Sequence, residues 1–231
     1  MDRLHQNSSA NVTSRSIGQL GVAADHLSHA QLDLPSPIVR FHRAILRRFA
    51  ESGLAPTVGD LGIEAAKLGL SAGAALETLE ARDLITRDTA TGAIKSAYPF
   101  SAKPTRHRVR ISGGNAVYAM CAVDALGIPY MLARDATIES EDPINGSSIR
   151  IDVREGEAVW TPSSTVVFAG SNGADGSIAQ TCCVVVNFFS SAETAEAFQR
   201  ARPEVEGSVL SQAEALDLGR KVFSGLLSES F

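Results

Sequence analysis

Apolar positions recur at helical spacing from Pro37 onward. Ile38, Phe41, Ile45, Leu46 and Phe49 fall on one face, and Gly53 ends the run. Pro56-Thr57 opens a second helix through Leu68, and Ser71 caps a third that turns Ala75, Leu76 and Leu79 inward. Two short strands follow, Leu84 to Arg87 and Ala93 to Ala97, joined by a polar turn ending at Gly92. Helices followed by a hairpin in this order predict a winged-helix-like module. Next comes a basic run, Lys103, Arg106, His107, Arg108 and Arg110, whose alternation with Val109 and Ile111 predicts a strand with one solvated, charged face. The stretch from Gly113 to Arg134 is almost wholly apolar. It reads as one buried helix, opened by Asn115 as N-cap and closed by Gly127 and Pro129.

Beyond that helix the period shortens to two. Ala136 to Ser140, Ser148 to Val153, Glu157 to Thr161 and Thr165 to Ala169 read as short strands. Thr181 to Phe189 reads as the strongest strand in the chain, central in its sheet. Ser190-Ser191-Ala192-Glu193 and Ser211-Gln212-Ala213-Glu214 are capping-box openings of helices reaching about Arg200 and Leu227. The predicted class is α+β: an N-terminal winged-helix-like three-helix module, then a mixed or antiparallel sheet domain with packed helices. The expected divisions are a mobile tail over 1–32, the module over 33–100 and the catalytic half over 101–231.

Composition narrows the function. At 231 residues and 44% hydrophobic content a sizeable core can form, and the net charge of -5 argues against a general nucleic-acid binder. The expected recognition helix, Ser71 to Asp83, carries Glu77, Glu80 and Asp83 against one Arg82, so the module reads as a scaffold for the second half. No apolar run approaches the ~18 residues of a membrane span, and the first thirty residues lack a signal-peptide core. The chain is expected to be cytoplasmic, with neither a membrane nor a nucleic acid as partner. The five histidines all precede the three cysteines and no C-x-x-C occurs, so a zinc site is not indicated.

The cysteines are Cys121, Cys182 and Cys183. On the expected helix Cys121 and Asp124 share a face, with Tyr118 one turn earlier. A carboxylate on an apolar helix is costly to bury without a partner or a task. On the expected strand Cys182 and Cys183 point to opposite faces, so at most one joins Cys121 in a single site. The residues alone leave open reactive thiols, soft-metal ligands or inert buried ones.

Taken together, Tyr118-Ala119-Met120-Cys121-Ala122-Val123-Asp124-Ala125-Leu126, Pro129, Cys182-Cys183 with Asn187-Phe188-Phe189, and the Ala192 to Glu196 helix start resemble the organomercurial (alkylmercury) lyase family. The resemblance extends over roughly residues 35 to 227. It implies protonolytic cleavage of a carbon–mercury bond to a hydrocarbon and Hg(II), with Cys121, Asp124 and Cys182 as the functional and mercury-holding set and Cys183 a neighbour that is not required. It implies no cofactor, mercury being substrate and product, an organomercurial as partner, and hand-off of Hg(II) to a mercuric reductase. Familiar members often carry an aromatic before each reactive cysteine; here Met120 and Thr181 stand there. Two other readings compete: a thiol-based metal-binding or metal-sensing winged-helix protein without lyase activity, in which Asp124 would be idle, and a Cys121–Cys182 disulfide switch.

Overall fold

The computed structural model describes residues 29–228. The tail expected over 1–32 therefore lies outside the described residues up to residue 28. Three helices come first, α1 (Ser36–Ser52), α2 (Val58–Lys67) and α3 (Ala72–Ala81). Helix α1 buries Phe41, Ile45, Leu46 and Phe49 and ends on Gly53 in the left-handed conformation, while a Thr57/Asp60 capping box opens α2. The hairpin β1 (Ile85–Arg87) and β2 (Ile94–Ala97) follows, then β3 (Phe100–Ser101), β4 (Arg108–Ile111) and β5 (Ala116–Ala119).

The central helix α4 (Ala122–Leu132) leads into β6 (Ala136–Glu141), β7 (Ser148–Arg154), β8 (Glu157–Thr161) and β9 (Val166–Ser171). The remainder is a short helix α5 (Ile178–Thr181), β10 (Asn187–Phe189), α6 (Ala192–Ala201), β11 (Glu206–Leu210) and α7 (Gln212–Phe223). The class is α+β. An eight-stranded sheet runs β1-β2-β3-β5-β4-β6-β7-β8 and a three-stranded one runs β10-β9-β11, with every pairing antiparallel. Val109 and Ile111 of β4 are buried, while Arg108 and Arg110 face out and pair with Glu139, as the alternation predicted.

Three local expectations are corrected. First, the buried helix starts at Ala122, not after Asn115. Gly113, at φ 64°, turns β4 back into β5, whose burial alternates with period two. Tyr118 is thus a half-exposed strand residue rather than a helical neighbour of Cys121. Second, Gly127 and Pro129 lie inside α4, which ends on a left-handed Ala133. Gly127 is there for packing: a Cβ at that position would sit 2.1 Å from the Phe223 ring, so α4 and α7 meet almost backbone to backbone.

Third, Thr181 to Phe189 is not one strand. Ser177 and Gln180 form a capping box that nucleates α5. The carbonyl of Ile178 then takes the amides of Cys182 and Cys183, and that of Cys182 takes those of Val185 and Val186. Only Asn187–Phe189 is extended, and β10 lies at the edge of its sheet, with β9 in the middle. The physical reason is local: the N-terminal cap supplies the turn's first hydrogen bonds before the β-branched run can find a ladder.

The N-terminal elements and the second half share one core. Phe49 of α1 stacks on Phe100 at 5.4 Å between ring centroids, a contact of ~0.5–1.5 kcal/mol beyond area burial. Arg43 donates to the Leu226 carbonyl at 3.0 Å, and Asn115 donates to the carbonyl of Glu51. Among the described residues no helix is long and apolar enough to cross a membrane.

Candidate active site

Strand β5 delivers Cys121 to the start of α4, where its backbone is extended and its carbonyl accepts from Ala125 at 3.0 Å, so Cys121 is the N-cap. Asp124 is then the third helical residue, the position from which a carboxylate reaches back to the cap's own amide, and it accepts that hydrogen bond from Cys121. The spacing of three noted in the sequence does bring thiol and carboxyl together, through a cap rather than through consecutive turns.

The turn after α5 supplies the second thiol. Cys183 Sγ lies 3.7 Å from Asp124 Oδ2. The sulfurs of Cys121 and Cys183 and a carboxylate oxygen of Asp124 all lie within 4.8 Å of one another. The Ala122 amide donates to Val186 at 3.3 Å, tying the start of α4 to the end of the thiol-bearing turn. Cys182, the second thiol expected from the sequence, is half-buried beside this group, with Thr181 Oγ1 at 3.7 Å from its sulfur. The structure therefore brings together Cys121, Asp124 and Cys183. The strand alternation that allowed only one of the adjacent pair into the site does not exist here; the resemblance, not the alternation, had named Cys182. Tyr118 lies on β5, not on the helix that carries Asp124.

Burial decides the electrostatics. Asp124 is 2% exposed and Cys121 5%. Removal from water pushes the Asp124 carboxyl from the ordinary 3.8 up to about 7, against opposing hydrogen bonds from both thiols and the Cys121 amide. Burial likewise raises the Cys121 thiol to about 11, the contact with Cys183 working the other way. The Cys183 thiol is held well above its ordinary value, first by its hydrogen bond to Cys121, then by burial and by the Asp124 charge. At rest the cluster is thus two neutral thiols around a carboxyl able to take or give a proton near neutral pH. Two soft sulfurs and one carboxylate oxygen are a donor set suited to a thiophilic cation, with proton transfer at hand.

Two further residues border the site and were not apparent from the sequence. Tyr98, after β2, and Asp83, after α3, reach the start of α5: Ala179 N donates to the Tyr98 hydroxyl at 2.6 Å and Ile178 N to Asp83 Oδ2 at 2.7 Å. The expected helix runs through Asp83, and no local pattern links either residue to a segment some eighty or more residues on.

Comparison with known proteins bears on this arrangement. A family model described as alkylmercury lyase (MerB) matches residues 100–224, more than half of the chain. An alkylmercury lyase of Staphylococcus epidermidis is 31% identical over 179 residues, 77% of this chain and 79% of that protein. The chain belongs to the alkylmercury lyase family. One from Bacillus cereus is 36% identical over 118 residues, 51% of this chain and 53% of the relative. A solved structure, the mercury-bound form of MerB2, superposes with a TM-score of 0.70 at 26% identity, covering 89% of this chain and 98% of that one. The resemblance read from the sequence is borne out, and the family's model spans both cysteine-bearing segments, α4 and the turn after α5.

Proposed function

We propose that this enzyme cleaves the carbon–mercury bond of organomercury compounds, with Cys121 and Cys183 as the mercury ligands and Asp124 as the proton carrier. The observation that carries the assignment is the buried carboxyl within reach of two thiols. The ionised Asp124 takes a thiol proton as the first sulfur bonds to mercury, and the second thiol follows. Two thiolates on mercury raise the electron density of the attached carbon. Asp124, now protonated, gives its proton to that carbon as the bond breaks. The balance closes: one thiol proton ends in the hydrocarbon, the other leaves with the counter-ligand displaced from mercury, and Hg(II) stays on two thiolates. The carbon–mercury electron pair becomes the new carbon–hydrogen bond, so no redox partner or cofactor is called on; mercury is substrate and product.

The experiment is headspace detection of hydrocarbon after adding an organomercurial to the wild type, Cys121→Ser, Cys182→Ser and Cys183→Ser. The expected result is release by the wild type and by Cys182→Ser, and none by the other two. Release by Cys183→Ser together with loss in Cys182→Ser would return the second thiol to Cys182.

We read residues 33–100 as a winged-helix-like module that serves as scaffold rather than as a DNA reader. This is supported by Glu77 and Glu80 on α3, by the hydrogen bonds of Asp83 and Tyr98 with α5, and by the pairing of Phe100 with Ala119 of β5. A thiol-dependent reaction fits the reducing cytoplasm, and a downstream mercuric reductase would be the acceptor of the Hg(II) left on the thiols.

A further inference from the structure

We propose that Asp83 and Tyr98 are positioning residues that set the Cys183 sulfur against Cys121 and Asp124; this rests on Cys183 being the second mercury ligand. The connection is short. Asp83 Oδ2 accepts from Ile178 N at 2.7 Å, and the carbonyl of that same Ile178 accepts from Cys183 N at 3.0 Å. One residue thus separates the carboxylate from the backbone of the reactive thiol. The adjoining amide, Ala179 N, donates to the Tyr98 hydroxyl at 2.6 Å, and that hydroxyl lies 3.4 Å from Asp83 Oδ1 as its donor. Helix α5 is a single turn, too short to hold its own shape in water. Its two leading amides are held by side chains that arrive from about eighty and ninety-five residues earlier in the chain.

The backbone of Asp83 carries a second, independent observation. It sits at φ 53°, just past the end of α3, with its amide on Glu80 and that of Leu84 on Leu79. Glycine fills such a site without strain, and a side chain there carries a conformational cost. A strained residue whose carboxylate reaches the turn bearing a reactive group is where strain serves a site rather than the fold alone. Tyr98 is 1% exposed, so its hydroxyl meets the amide without competing water. Misplacing a reacting group by an ångström costs on the order of 10²-fold in rate, and removing hydrogen bonds that orient metal ligands costs roughly 10–100-fold.

The test uses the full chain with Tyr98→Phe, Asp83→Ala and Asp83→Asn, read by kcat and KM for an organomercurial and by the iodoacetamide labelling rate of each cysteine mapped by mass spectrometry. Tyr98→Phe and Asp83→Ala are expected to lower kcat roughly 10–100-fold, with KM changed less, and to alter labelling of Cys183 while leaving that of Cys121 at the wild-type rate. Asp83→Asn, whose amide oxygen still accepts from Ile178, is expected to recover most of kcat. Should Asp83→Ala fail to fold, Tyr98→Phe decides alone, since its ring still fills the core. Wild-type kcat and wild-type Cys183 labelling in folded Tyr98→Phe would overturn the proposal, even if its melting temperature fell. Cys183→Ser is assayed alongside: if it turns over, the ligand assignment fails, whereas if it is dead and Tyr98→Phe is normal, only the positioning role fails.

Discussion

Asp124 is where burial and hydrogen bonding oppose each other, and burial prevails: the carboxyl rises from 3.8 to about 7 despite three hydrogen bonds that favour its ionised form. A group that must first accept a thiol proton has to start ionised. We therefore expect kcat/KM to increase with pH through an apparent pKa of about 7, and the residual activity of Asp124→Asn to lack that limb. A falling limb at the same place would mean that the carboxyl enters the reaction as an acid. The same shift has a stability consequence. The folded state binds this proton more tightly than the unfolded chain, so the stabilisation is complete below about pH 4 and is lost as pH rises through about 7. Urea midpoints of the wild type, measured relative to Asp124→Asn, are expected to fall between those limits; a constant difference would contradict the shift. Cys121 and Asp124 were legible in the sequence because their spacing is short and local. Which of the adjacent thiols lies within reach of Cys121 and Asp124 was not, because it turns on whether the segment is a strand or a helical turn.

Most elements could be read from periodicity and caps. The Ser211/Glu214 capping box opens α7 where it was expected, and β6, β7 and β8 fall within a residue or so of their alternating runs. Two of the failures have tertiary contacts behind them. Gly127 reads as a helix stop, yet it is the contact point of α4 with α7, where a Cβ at Gly219 would also come within 3.1 Å of the backbone of Gly127 and Val123. Thr181 to Val186 reads as a strand by composition, yet the Ser177 cap and the Asp83 and Tyr98 acceptors give its start a helical alternative. Gly127→Ala is expected to destabilise by ~1–3 kcal/mol through overpacking against Phe223, seen as a lower urea midpoint, and trimming the ring in Gly127→Ala/Phe223→Leu is expected to recover part of it. A Gly127→Ala variant with the wild-type midpoint would show that α4 and α7 have room to spare.

At the scale of the whole molecule four separated stretches meet around the site: the cap of α4, the turn after α5, the α3–β1 junction and the β2–β3 junction. The large sheet runs without a break from β1 and β2 into the second half. The α+β class was readable from local pattern, while this joining was not, since pairings such as β3 with β5 depend on partners far along the chain. A fragment beginning at residue 101 would lack β1, β2, Phe100 and both acceptors of α5. It is expected to show no cooperative thermal transition, and a sharp, reversible one would mean that the second half folds alone. The account turns on one proton delivered beside mercury held by two thiols. The measurement that tests it most directly is a single-turnover comparison of wild type and Asp124→Asn, each titrated with one equivalent of an organomercurial, with bound mercury and released hydrocarbon counted together. The account predicts one equivalent bound by both proteins, with prompt hydrocarbon release by the wild type and release slowed ~10²–10⁴-fold in the variant. Hydrocarbon release by folded, mercury-loaded Asp124→Asn at the wild-type rate would contradict it.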